Sequence, residues 1–281
     1  MQLNSQDIDA ICGLVHDLCG VNLDSSKGYL IESRLAELAR RAGCEGYAEL
    51  ARKARASQEG SLKSEIIDAI TTNETLFFRD NSPFEALRHK ALPETIDAIA
   101  GTPFPKRIRI WSAACSTGQE PYSIAMLARE LIPDVDDWDI RITATDVSNG
   151  VIRRASQGWY SSHEIDRGLS RRQLDQHFIQ RDRGWQIRDE VRYMVHFQRL
   201  NLLESFTALG RFDIIFCRNV AIYFTPECRK SVYQRIAQCL NPEGYLFLGS
   251  AESIADLETN LQPERHCGAV FYRHANVAVT A

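Results

Sequence analysis

From residue 107 to residue 274 the chain alternates short β-branched and aromatic runs with segments of helical periodicity, and this most constrains its fold. RIRIWSAA (107–114), DIRITATD (139–146), VHFQRLNLL (195–203), FDIIFCRNV (212–220) and YLFLGSAE (245–252) read as strands. AVFYRH (269–274) reads as an edge strand. Between them QEPYSIAMLARELI (119–132) has helical spacing, with Pro121 in the first turn where proline is tolerated. SNGVIRRAS (148–156) and PECRKSVYQRIAQCL (226–240) also read as helices. Such alternation predicts an α/β fold, a mostly parallel sheet covered by helices. Its ligand is expected outside the carboxyl ends of the strands, so the residues that follow each strand carry the functional reading.

The first 70 residues have a different texture. Ile8, Ile11, Leu14, Val15 and Leu18 recur at helical spacing, as do Leu30, Ile31, Leu35 and Leu38 up to Gly43. Two shorter helical stretches follow at 48–56 and 62–70, and nothing alternates like a strand. A helical unit of four helices over residues 1–70 is therefore expected ahead of a larger unit over 71–281. A net charge of −4 argues against a nucleic-acid partner. No apolar stretch approaches the roughly 18–20 residues that would span a bilayer, so membrane insertion is not expected. The opening MQLNSQDIDA has neither a basic n-region nor an apolar core, which points to the cytoplasm. The eight cysteines include no C-x-x-C pair, and the seven histidines form no H-E-x-x-H. Reduced, mostly buried thiols and no metal site are expected.

Two strand ends stand out. After the first strand comes the small-residue segment Ala113-Ala114-Cys115-Ser116-Thr117-Gly118 leading to Glu120, which lets a ligand approach the backbone. After the second stands Asp146, placed as an acceptor for two ribose hydroxyls or as a cap on the next helix. No G-x-x-x-x-G-K-[ST] and no G-x-G-x-x-G accompanies them, which disfavours ATP and a dinucleotide oxidoreductase. A nucleoside without phosphates fits best, and S-adenosylmethionine is the natural candidate.

The strings TTNETLFFRD (71–80), WSAACSTGQEPYSIAM (111–126), ATDVS (144–148), NLL (201–203), FDIIFCRNVAIYF (212–224) and GYLFLGSAES (244–253) occur in one order. Together they closely resemble the CheR-type chemoreceptor glutamate methyltransferases, from about residue 20 to residue 273. The resemblance implies a Rossmann-like class I methyltransferase domain, a small all-helical N-terminal domain and a small β-subdomain inserted at about 157–197. It implies a cofactor site of Asn73, Thr75, Arg79, Ala113, Glu120, Asp146, Asn201, Leu202, Arg218 and Asn219. Glu120 and Asp146 suit the ammonium or the ribose diol, and Asn201 with Leu202 the adenine edge. Asn73 and Thr75 could otherwise be helix caps, and Arg79 a surface ion pair.

The implied reaction is transfer of a methyl group from S-adenosylmethionine to a receptor glutamate, leaving S-adenosylhomocysteine. That carboxylate is already ionised near neutrality, so alignment matters more than a general base. Arg79 and Tyr223 are the candidate catalytic residues, although Tyr223 could be a packed aromatic beside Phe224. Lys27, Arg34 and Arg41, seven residues apart, would offer one basic helix face to an acidic receptor helix, unless Arg34 merely snorkels. The segment IQRDRGWQIRDEVRYMVHF (179–197) resembles the β-subdomain, with a loop shorter than in members that grip a receptor's C-terminal pentapeptide. Tethering by that pentapeptide is therefore in doubt, and a monomer is expected. The rival readings are a methyltransferase for another carboxylate and a non-catalytic S-adenosylmethionine-binding signalling module.

Overall fold

The computed structural model describes residues 3–57, 60–132, 134–255 and 257–275. Four helices open the chain: α1 (Ser5–Cys19), α2 (Gly28–Arg41), α3 (Tyr47–Ala56) and α4 (Ser61–Ile70). A capping box starts α1, in which Asn4 accepts from the Asp7 amide and Asp7 accepts from the Asn4 amide. Asp7 is buried because it also accepts from the Ala48 amide at 2.7 Å, which fixes the start of α3 against α1. The periodic residues Ile11, Leu14 and Val15 meet Ile31 and Leu35 of α2, Leu50 of α3 and Ile66 of α4 in one core. An irregular stretch over 71–81 leads to α5 (Ser82–Ala86), a π-helical turn over Leu87–Ala91, and α6 (Leu92–Ala100).

The remainder runs β1 (Arg107–Ala113), α7 (Gln119–Leu131), β2 (Asp139–Asp146), α8 (Asn149–Gln157), β3 (Trp159–Tyr160), α9 (Ser162–Asp166), α10 (Arg171–His177), β4 (Phe178–Arg181) and β5 (Gly184–Ile187). It continues as α11 (Asp189–Arg192), β6 (Val195–Arg199), β7 (Phe212–Cys217), α12 (Pro226–Gln238), β8 (Leu240–Leu248), β9 (Leu261–His266) and β10 (Ala269–His274). Seven strands form one sheet in the order β6-β2-β1-β7-β8-β10-β9. The first five are parallel and β10 is antiparallel to both neighbours. Strand residues alternate between two cores. Ile110, Ile214 and Phe216 face Ile124 and Phe84 on one side, while Trp111 and Ile215 meet Val232 and Ile236 of α12 on the other. Both faces are thus covered, as the apolar strand runs require.

Ala113 pairs with Thr145 and Cys217, and Cys217 with Leu248, so β1, β2, β7 and β8 finish level. The segments that follow them emerge on one rim, on either side of the point where the strand order reverses between β1 and β7.

Several strand boundaries differ from the sequence expectation. AVFYRH is not at the edge, because β9 pairs outside it. The edge sequence LQPERH carries a proline and three charged or ionisable residues, which conceal any alternation. The run VHFQRLNLL leaves the sheet after Arg199, and YLFLGSAE after Leu248. The small sheet β3-β5-β4 is a separate antiparallel unit, its hairpin turning at Asp182 and Arg183. Val195–Arg199, whose first residues fall within the expected insertion, pairs with β2 in the large sheet. Phe77 of the irregular stretch packs edge-on against Tyr160 and Phe178 of the small unit, at 4.9 and 5.5 Å.

Candidate active site

A cavity of about 560 Å³ opens where the rim of the sheet meets the helical unit and the 71–80 stretch. The turn after β1 forms part of its wall and adopts left-handed backbone at Ala114 (φ 56°), Ser116 (φ 49°) and Gly118 (φ 95°). At Gly118 a side chain would also be crowded, since a Cβ would lie 3.0 Å from both the Ala155 Cβ and the Tyr160 hydroxyl. Ser116 Oγ donates to the Asn73 carbonyl at 3.0 Å and joins this turn to the linker.

Asp146 ends β2 and accepts from the Ser116 amide at 2.9 Å and the Ser148 amide at 3.0 Å. The cap of α8 is Ser148, whose Oγ accepts from the Val151 amide, so Asp146 is not itself the capping residue. Burial pushes its carboxyl above the ordinary aspartate range, and the amides of Ser148, Ser116 and Val147 oppose that rise. Glu120, in the first turn of α7, accepts from Ser112 Oγ at 2.8 Å and Arg218 Nη1 at 3.0 Å. Burial also pushes this carboxyl up, against the pull of the Arg218 guanidinium.

Arg218 follows β7 and is only 5% exposed. Besides Glu120 it holds Asp80 at 2.7 Å and the Arg79 carbonyl at 2.9 Å, and so ties the linker to the sheet. Arg79 lines the cavity and donates to the Glu74 carbonyl at 2.9 Å; among the described residues it forms no ion pair. Asn73 and Thr75 line the cavity from backbone that is not helical, so neither is a helix cap. Asn219, with φ 57°, lines it from the end of β7. Leu202 and Asn201 line it after β6, but the Asn201 carboxamide is already engaged. Its Nδ2 donates to the Leu18 carbonyl at 2.7 Å and its Oδ1 accepts from the Leu203 amide, while the Asn201 and Leu202 carbonyls accept from the Glu204 amide at 2.9 Å and from Arg235 Nη2 at 2.6 Å. Tyr223 is 39% exposed at the cavity, not packed in the core.

Two expectations are corrected. Ala113 is fully buried beside Trp111 in the core on the α12 side, and the next residue, Ala114, lines the cavity. Lys27, Arg34 and Arg41 do not form one basic face. Lys27 lies in a 3₁₀ turn ahead of α2 and lines the cavity. Arg34 lines it too, but donates to the Ile70 and Thr71 carbonyls at 2.8 and 3.1 Å, closing the carboxyl end of α4. Arg41, two turns and roughly 10 Å further along the helix, lies outside the cavity and pairs with Glu65 on the surface. The sequence reading missed Ser112, Asp80 and Glu252, which bind the site's loops.

No three His, Cys, Asp or Glu side chains among the described residues are grouped so as to hold a metal ion. No helix among them is long and apolar enough to cross a membrane.

A parallel sheet with carboxylates beyond its first two strands, and no glycine cradle for a pyrophosphate, defines a nucleoside-binding α/β enzyme of the class I methyltransferase type. The chain belongs to the CheR methyltransferase family. Residues 73–267 match the SAM binding domain of CheR methyltransferase, and residues 6–71 its all-alpha domain. The chain is 38% identical to chemotaxis protein methyltransferase 1 of Pseudomonas aeruginosa, over 97% of this chain and 99% of that one. It is 38% identical to chemotaxis protein methyltransferase 1 of Vibrio cholerae, over 96% of this chain and 98% of that one. Among solved structures, the glycopeptide N-methyltransferase MtfA complexed with S-adenosyl-L-methionine is 15% identical with a TM-score of 0.36, over 73% of this chain and 70% of that chain. The protein is a methyltransferase that uses S-adenosylmethionine. The donor set suits that group, since two buried carboxylates beside backbone amides complement a ribose diol and a cationic amino acid.

Proposed function

We propose that the chain methylates glutamate side chains on the cytoplasmic helices of a chemoreceptor, giving methyl esters and S-adenosylhomocysteine. The observation that carries this is a single cavity with Asp146 and Glu120 in its wall and Arg79 and Tyr223 facing it. S-adenosylmethionine supplies a methyl group on a positively charged sulfur. Asp146 accepts the ribose hydroxyls, and Glu120 with Asn219 orients the amino-acid end. Asn201 and Leu202 present their backbone N–H groups to the adenine edge, while Asn73 and Thr75 close the cavity from the linker. Arg218 holds Glu120 and the linker in register.

The receptor glutamate enters already ionised, so no residue has to take its proton. Arg79 and the Tyr223 hydroxyl orient its carboxylate for in-line attack, and alignment of this kind can be worth up to roughly 7–11 kcal/mol. Both contacts must stay modest, because a tight ion pair would stabilise the ground state as well. Residues 1–70 recognise the substrate and residues 71–281 perform transfer. Lys27 forms no ion pair among the described residues and meets the acidic receptor helix at the cavity mouth. Arg34 and Arg41 act on recognition by holding α4 against α2. The two-residue β4–β5 turn supports a receptor captured without its C-terminal pentapeptide. The protein works as a monomer in the cytoplasm.

The test is incubation with methyl-labelled S-adenosylmethionine and a panel of receptor cytoplasmic domains. Label should enter at least one receptor, be released by mild alkali as expected of an ester, and be strongly reduced with Asp146→Ala at limiting S-adenosylmethionine. Label confined to small carboxylic acids, with every receptor unmodified, would overturn the assignment.

A further inference from the structure

We propose that Glu252 is a positioning residue for methyl transfer, its buried carboxylate setting the conformation of residues 219–223 along the cavity. This role presupposes that Asn219 and Tyr223 serve cofactor and acceptor as described above. Glu252 does not line the cavity and is 9% exposed, in the turn that follows β8. One oxygen accepts from the Gly249 and Asn219 amides, both at 2.7 Å. The other accepts from the Val220 amide at 3.1 Å and the Ala221 amide at 2.8 Å. A single carboxylate thus gathers four backbone amides from the ends of two adjacent parallel strands. Among the described residues it forms no ion pair, and four oriented amide dipoles point at its oxygens.

The segment held this way needs holding. Asn219 adopts φ 57°, a left-handed conformation that costs a non-glycine residue energy. It is followed by a single 3₁₀ turn over Ala221–Tyr223. From this short piece Asn219, Val220, Ile222 and Tyr223 all reach the cavity. Only a carboxylate offers enough acceptor sites for four converging amides; a glutamine would turn an NH₂ group toward two of them. Gly249 completes the clamp. A Cβ there would lie 2.6 Å from Glu252 Oε2 and 2.9 Å from the Asn219 nitrogen. Its backbone is not left-handed, so Gly249→Ala displaces by steric means the same carboxylate together with Asn219, whose Nδ2 would lie 2.8 Å from the new Cβ.

The test compares Glu252→Gln and Gly249→Ala with the wild-type full chain, at a temperature where circular dichroism shows each folded. Both variants should lose about a hundredfold in kcat on receptor and about tenfold in affinity for S-adenosylmethionine, as expected when a site is misplaced by about 1 Å. Asn219→Ala made in the Glu252→Gln background should weaken cofactor binding much less than in the wild type, because the misplaced side chain has little left to lose. Should Glu252→Gln not fold, Glu252→Asp, which keeps the charge but withdraws the carboxylate from the amides, carries the comparison, and wild-type kcat and affinity in it would equally overturn the proposal. A folded Glu252→Gln protein with wild-type kcat and affinity would overturn the proposal, as would full additivity with Asn219→Ala. If the wild type methylated no receptor, the substrate assignment would fall, and the comparison of S-adenosylmethionine affinities would still decide on Glu252.

Discussion

In the proposed site Asp146 is the side chain that meets the ribose. Its carboxylate is fixed by the Ser116 and Ser148 amides before any ligand arrives, so little ordering is left for binding to perform. Asp146→Ala should weaken S-adenosylmethionine by about 2 kcal/mol, roughly thirtyfold, in isothermal calorimetry. Unchanged affinity would move the ribose contact elsewhere. Burial raises the carboxyls of both Asp146 and Glu120, and both must be ionised to serve a cationic, hydroxyl-bearing ligand. Cofactor affinity should therefore be full at neutral pH and begin to fall, on acidification, above the ordinary carboxylate range of about 4. The effect on stability has the opposite sign, since a carboxyl raised in the folded state favours folding at acid pH and loses that contribution as pH rises. Calorimetry across that range should show affinity falling while the fold persists; affinity flat down to about pH 4 would contradict it. Asp146 and Glu120 were legible because a strand end followed by a carboxylate is a local pattern. Glu252 was not, since its four amide partners come from two strand ends some thirty residues apart in the chain.

Among the elements, α2 and α4 show how far a periodic pattern can carry. The apolar stripe of α2 predicted its buried face correctly, with Ile31, Leu35 and Leu38 in the core. The arginines on the same helix could not be assigned from spacing, because their partners belong to α4 and the linker. Arg34 closes the end of α4 through the Ile70 and Thr71 carbonyls, just before the stretch that bears Asn73, Thr75 and Arg79. Arg34→Ala should cost about 1–3 kcal/mol in urea denaturation, through two charge-assisted hydrogen bonds lost from a half-buried site. A variant as stable as the wild type would return Arg34 to the role of a surface cation. At the sheet's far edge, β10 was visible as AVFYRH, while β9 was not, because edge strands use proline and charge to avoid pairing. The same reasoning explains why strand ends were overestimated: NLL and GSAE continue the apolar texture but turn to build the rim.

At the scale of the whole molecule, the active cavity exists only where three parts meet: the helical unit, the linker and the sheet rim. Several contacts hold them together, among them the Asn22 amide to the Tyr223 carbonyl at 2.7 Å and Asn201 to Leu18. The two-part organisation was legible because periodicity changes from helical to alternating between residues 70 and 107, whereas the joint itself, made by backbone groups and single side chains such as Asn201, leaves no trace in composition. The cysteines report on the integrity of this assembly. Burial pushes the thiols of Cys115 and Cys217 well up, while Cys267 is exposed in the β9–β10 turn. A thiol reagent should label Cys267 first and reach Cys115 and Cys217 only on unfolding; rapid labelling of Cys115 in the native protein would mean that the cavity wall opens. The most direct measurement of the central claim uses S-adenosylmethionine bearing a deuterated methyl group, with a receptor cytoplasmic domain as acceptor and peptide mass spectrometry as readout. The deuterated methyl should be found as an ester on glutamate side chains, and Arg79→Ala should reduce its rate of appearance more than it weakens cofactor binding. Label on lysine, cysteine or a backbone terminus instead, with the glutamates untouched, would contradict the account.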